Sequence, residues 1–231
     1  MSLPLVLLPG MMCDARLFGP QINALSPSRP VGVGDLTGHD AVAAIAAEVL
    51  ADAPERFALA GLSMGGIVAM EVIRQAPGRV ARLALLDTNP RVELPEAKAR
   101  RALQIEKVRQ GGLREVMRDE MKPNYLTEGP LRADILDLCM AMALDLGPEV
   151  FVRQSIALRD RPDQQETLRR VRVPTLILCG RHDVPCPVER HELMHGLIPG
   201  SELRIVEGAG HLSTLEQPAA VTAALRAWLG D

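Results

Sequence analysis

Five residues, Gly61-Leu62-Ser63-Met64-Gly65, constrain this chain more than any others. An apolar, strand-like run, Phe57-Ala58-Leu59-Ala60, leads into them, and a helix-like run over 66–75 leads out. This is the G-x-S-x-G pattern in the strand–turn–helix setting that gives it chemical meaning. A serine hydroxyl is a weak nucleophile and must stand clear of the backbone to reach a carbonyl. A very tight turn achieves that, at the cost of strained dihedrals on the serine and crowding of its neighbours. Gly61 and Gly65 carry no Cβ to clash. Met64 then opens a helix, with an unpaired backbone N–H aimed at whatever Ser63 attacks.

The flanking sequence sets the architecture. Runs at 3–8, 31–33, 57–60, 83–86, 174–179 and 203–206 are short and apolar without polar alternation, as strands covered on both faces require. Helical spacing lies between most of them. Examples are 15–25, and 42–50 with Val42, Ile45, Ala46, Val49 and Leu50, for which Asp40 offers a cap. Further helices are expected over 188–197 and at the C-terminal end, where Val221, Leu225, Trp228 and Leu229 share one face. The alternation predicts an α/β fold with a mostly parallel central sheet and helices on both faces.

The rhythm breaks after Pro90. Residues 91–171 are charged and helical in spacing, with breaks at Gly111-Gly112, Pro123-Asn124, Gly129-Pro130 and Gly147-Pro148. The stretch is too long and too periodic for a loop. The expectation is a core made of 1–90 and 172–231, with 91–171 as an inserted all-helical cap. Its place is over the carboxyl ends of the strands, where open parallel sheets bind ligands.

Composition removes several function classes. A net charge of −3 points to no nucleic-acid or membrane partner. Aromatic residues are only 2%, so no base-stacking platform is available. No apolar run reaches the roughly 18 residues of a membrane span, and the apolar start lacks a basic n-region and reads as a strand. The four cysteines, Cys13, Cys139, Cys179 and Cys186, fit no zinc spacing and suggest reduced, buried thiols in a cytoplasmic protein. His191 and His195 stand i,i+4 on one predicted helix but lack the Glu and third ligand of a zinc motif. They read as a solvated face, and no metal or other cofactor is expected.

Ser63 needs a base, and the base needs an acid to hold it. Both should follow strand ends on the elbow's edge of the sheet. Of five histidines, His211 follows the last strand on the Gly-rich turn Gly208-Ala209-Gly210 and is the candidate base. Asp183 ends the penultimate strand, and Asp87 ends the strand after the elbow. Chain order favours Asp183 without excluding Asp87. Two N–H groups must meet the developing oxyanion. Met64 supplies one, and the loop after the first strand supplies the other, through Met11 or its neighbour Met12.

These motifs together are similar to the α/β-hydrolase fold superfamily, in its small esterase-like form with a helical cap. The matching stretches are Leu7-Leu8-Pro9-Gly10, Asp35-Leu36-Thr37-Gly38-His39, Gly61 to Gly66, Gly180-Arg181-His182-Asp183, and Gly208 to His211 with Glu216 and Pro218 behind. Pro9-Gly10 stands where the family often has His-Gly. The resemblance implies a cofactor-free hydrolase with Ser63 as nucleophile, Asp183 as acid, His211 as base, and Met11 and Met64 as oxyanion donors. The expected substrate is a small or medium apolar acyl ester, with Met12 against it. Thioester, lactone or carbon–carbon hydrolysis by the same triad, or ligand binding without catalysis, are the alternatives. The slightly basic stretch from Arg91 to Arg132 suggests a dock for an acidic carrier protein.

Overall fold

The computed structural model describes residues 2–230. Six strands form one sheet in the order β2-β1-β3-β4-β5-β6. They are β1 (Leu5–Leu8), β2 (Val31–Val33), β3 (Phe57–Leu62), β4 (Val80–Leu86), β5 (Thr175–Gly180) and β6 (Glu202–Val206), and every pairing is parallel. The expected sheet is therefore present, and β1 lies inside it as its unbroken apolar run requires.

Strand residues alternate between two separate cores, as a period of two demands. Val6, Leu8, Leu59, Leu83, Leu85 and Ile177 face helices α2 (Val42–Asp52), α3 (Met64–Gln75) and α8 (Val188–Leu197). Leu5, Leu7, Ala58, Ala60, Leu176 and Leu178 face α1 (Gly19–Leu25) and the closing helix α10 (Pro218–Leu229). Each such Leu or Ile fully removed from water contributes about 1.5–3 kcal/mol. With helices on both faces, only the two ends of the sheet remain for a site. One local expectation fails: α2 is preceded by Ala41 in extended backbone and has no side-chain cap, so Asp40 does not cap it.

Between β4 and β5 the described chain forms only helical segments. Helix α4 (Pro95–Arg109) leads to α5 (Leu113–Glu115), a π-type turn at Val116–Met121 and a 3-10 turn at Lys122–Asn124. A long helix, α6 (Arg132–Arg159), and a short one, α7 (Gln165–Arg169), return to the sheet. The break expected at Gly147-Pro148 is a kink inside α6, where Gly147 takes φ 82° and ψ 174°. Gly147 has room for that left-handed turn, and Pro148 withholds the N–H that would have continued the ladder.

Candidate active site

Because all strands run parallel, the loops after β1, β3, β4, β5 and β6 gather at one edge. Ser63 sits at φ 54° and ψ −113°, a backbone region that serine rarely occupies. The turn tolerates it because its flanks are bare. A Cβ on Gly61 would lie 2.2 Å from the Gly65 carbonyl oxygen, and one on Gly65 would lie 2.0 Å from that of Leu8. The Ser63 N–H donates to Leu86 O at 2.9 Å, and Thr88 Oγ1 donates to Ser63 O at 2.7 Å. The elbow is thus pinned to the end of β4.

The structure brings Ser63, His211 and Asp183 together. Ser63 Oγ stands 2.9 Å from His211 Nε2, and His211 Nδ1 stands 2.9 and 3.0 Å from the two Asp183 carboxylate oxygens. Asp183 also accepts the Cys186 N–H at 2.8 Å. Burial works against charge on the His211 imidazole, but the Asp183 charge and hydrogen bond outweigh it and raise its pKa, with Asp87 and Glu216 adding to the effect. The backbone N–H of His211 donates to Tyr125 O at 2.6 Å, and Glu216 accepts both the Gly210 and Thr127 N–H groups at 2.8 Å. The turn carrying the imidazole is therefore held from the helical segment as well as from the sheet.

Asp87 takes a different position. It is fully buried and accepts from the Gly180 N–H at 2.9 Å and from Ser213 Oγ at 2.5 Å. It ties β5 to the helix after His211 and makes no hydrogen bond to the imidazole. Burial, and then the nearby Asp183 charge, push its carboxyl pKa well up.

The loop after β1 separates Met11 from Met12. The Met12 N–H donates to Gln154 Oε1 at 2.8 Å, whereas the Met11 N–H has no partner among the described residues. Met64 is the first residue of α3, so its N–H lacks an intrahelical acceptor. Met12 has φ 56°, and its side chain is buried in the core rather than in the pocket lining. Met12, expected against the substrate, is therefore not among the residues that line the cavity. Gln154, on α6, escaped the sequence reading because a lone glutamine in a helix carries no motif.

A cavity of about 470 Å³ opens above Ser63. Met11, Met121, Leu158, Val184 and Pro185 give it apolar walls, while Arg100, Arg101, Gln104, Glu120, Asn124 and Tyr125 make the rest polar. The walls that would meet an apolar acyl group are therefore joined at the rim by Arg100 and Arg101 of α4. His191 is corrected. It is buried rather than solvated, its Nε2 accepts the Thr88 N–H at 2.9 Å, and burial pushes its pKa down to about 4. The four cysteines are buried and free, as expected. Asp183, Cys186 and His211 offer ligand atoms within 4.8 Å of one another. Burial keeps the Cys186 thiol protonated, and the carboxylate and imidazole already hydrogen-bond each other, so the group suits proton transfer better than cation binding. Among the described residues, no helix is long and apolar enough to cross a membrane.

Known proteins are similar to this chain in sequence and in fold. The bifunctional biotin-biosynthesis protein BioHC of Cellvibrio japonicus is 23% identical over 96% of this chain, which spans only 46% of that relative. A pimeloyl-[acyl-carrier protein] methyl ester esterase of Neisseria meningitidis serogroup B is 25% identical over 95% of this chain and 90% of its own length. A solved thermophilic esterase from Thermogutta terrifontis superposes with a TM-score of 0.91 at 32% identity, covering all of this chain and 90% of that one. The enol-lactonase of Burkholderia xenovorans LB400 shares the fold, with a TM-score of 0.90 at 23% identity over 100% of this chain and 92% of its own. The model of the alpha/beta hydrolase family matches residues 5–225. With that match covering nearly all of its length, the chain belongs to the alpha/beta hydrolase family.

Proposed function

We propose that this protein is a serine esterase that cleaves small carboxylic esters through an acyl-Ser63 intermediate. The observation that carries the reading is the unbroken relay from Ser63 Oγ through His211 to Asp183, each link 2.9 Å long. His211 Nε2 takes the hydroxyl proton as Ser63 Oγ attacks the carbonyl carbon. The N–H groups of Met11 and Met64 receive the negative oxygen. The intermediate collapses, the C–O bond to the alcohol breaks, and His211 returns its proton to the departing alkoxide. Water, deprotonated by the same imidazole, then releases the acid and restores Ser63. Asp183 orients the imidazole and stabilises its charged form.

Residues 91–171 act in this reading as the cap that selects the substrate over a core of 1–90 and 172–231. The apolar walls receive the alkyl part of the ester. Buried free thiols suit a reducing, cytoplasmic setting. The names of the curated relatives also support esters, and they add a second reading in which the acyl group arrives on a carrier protein met by the basic face of 91–132. Strong salt dependence on a carrier-linked ester, absent on a free one, would mark it.

The test is hydrolysis of 4-nitrophenyl acetate and butyrate, with labelling by a fluorophosphonate. Wild type should turn over and label at Ser63, while His211→Ala should do neither. Equal rates for wild type and Ser63→Ala would end the proposal.

A further inference from the structure

The pocket above Ser63 holds more positive charge than a neutral ester needs. Two carboxylates offset that charge: Glu120 lines the cavity, and Glu93 pairs with Arg101, which lines it. Glu120 is met by Lys107 Nζ at 2.5 Å and by Gln104 Nε2 at 3.1 Å, which neutralises it. Glu93 is shared: Arg101 Nε and Arg161 Nη1 both bond its Oε2, at 2.7 and 2.8 Å. One carboxylate therefore faces two guanidinium groups, and the trio keeps a net charge of +1. Arg161 is nearly buried and is anchored by its Nε to Arg91 O at 2.8 Å. Arg101 is the member that reaches the cavity.

Its remaining hydrogen-bonding capacity is unspent. Nη1 touches only the Met11 sulfur, at 3.7 Å, a weak acceptor, and Nη2 has no partner among the described residues. The side chain is 18% exposed, and its free edge opens into the cavity. A guanidinium in that state fits a planar carboxylate, which accepts two parallel N–H bonds and carries the one negative charge the trio lacks. Met11 links the two groups: in the esterase reading its N–H receives the oxyanion, and its sulfur lies 3.7 Å from Arg101 Nη1 in the cavity that also holds Ser63, which suits a short acyl chain between carboxylate and ester.

We propose that Arg101 is a specificity-determining residue that receives a free carboxylate carried by the substrate, which makes half-esters of short dicarboxylic acids, or lactones bearing a carboxylate, the preferred class. The inference rests on the esterase reading above. Glu93 and Arg161 are positioning residues that hold the guanidinium at the wall.

The experiment compares monomethyl glutarate with methyl pentanoate by acid release at constant pH, in wild type, Arg101→Met and Arg101→Lys. Wild type should favour the half-ester at least tenfold in kcat/KM. Arg101→Met should cut that preference by about 10- to 100-fold, the usual effect of losing a hydrogen-bonded charge partner. Arg101→Lys should retain part of it, as a point charge without the fork. Calorimetric binding of monomethyl glutarate to Ser63→Ala, with and without Arg101→Met, reads the same contact with no turnover. Should no ester react, the esterase reading fails, and this binding arm still decides the role of Arg101. A preference at or below one in wild type, or binding unchanged by Arg101→Met, overturns the proposal.

Discussion

The carboxyl edge of the sheet and the helical segment over it are built on opposite terms. At the edge, Ser63, Asp87, Asp183 and His211 are locked by short, largely buried hydrogen bonds between loops that follow four strands. Over it, the pocket wall is made of long charged side chains, Arg100, Arg101 and Glu120, on helices interrupted by a π-type turn and a kink. The edge fixes atoms to within a hydrogen-bond length, which a reaction requires. The helical wall sets shape and charge through side chains such as Arg100 and Glu120, which make no bond to the relay. Substitutions at the edge should therefore change turnover on every ester, and those in the wall should change which ester is chosen.

The largest effect should come from the nucleophile. Ser63→Ala should lower turnover by on the order of 10⁶ by analogy with serine proteases. The next substitution divides the edge itself. Asp183→Asn should cost about 10⁴ in kcat with the fold intact, because the amide favours the wrong imidazole tautomer. Asp87→Asn should spare most of the rate and instead lower the unfolding temperature, since it disturbs the bonds to Gly180 and Ser213. A larger rate loss in Asp87→Asn than in Asp183→Asn would reverse the roles.

Gln154→Leu tests the boundary between the two regions. It leaves the Met12 N–H buried and unpaired, a cost of about 1–3 kcal/mol. An unfolding temperature several degrees lower is expected, with kcat falling roughly tenfold as the Met11 donor drifts. If only KM changes, Gln154 belongs to the wall and not to the edge.

The mildest probe is pH. His211 acts as base only when neutral, and its pKa lies above the ordinary 6.5. Activity should therefore fall with slope one as pH drops through a value above 6.5. Stability should move the other way. A raised folded-state pKa gives a contribution that is complete below the unfolded value and is lost as pH rises through the folded one. A pH–rate midpoint at or below 6.5 would contradict the Asp183 contact.

The edge was legible from residues because its chemistry leaves marks. Glycines flank Ser63, Asp183 follows the apolar run of the inner strand β5, and His211 follows β6, a partly exposed edge strand, on a Gly-rich turn. Asp87 was harder. It also ends a strand, and only coordinates separate a carboxylate that faces an imidazole from one that faces Gly180 and Ser213. The wall was legible as helix and break but not as a surface. Helical spacing alone did not say that Arg101 turns inward while Leu103 is exposed. The backbone donors left even less, since an N–H has no letter in the sequence; Met11 and Met12 differ only through Gln154, 142 residues from Met12.

The bond from the His211 N–H to Tyr125 O has one more implication. The peptide unit that steadies the proton carrier belongs to the helical segment between β4 and β5 and not to the sheet. Were that segment to swing away as a rigid piece, it would take that support with it and leave the imidazole unsteadied. A protein prised wide open would be idle for as long as it stayed open.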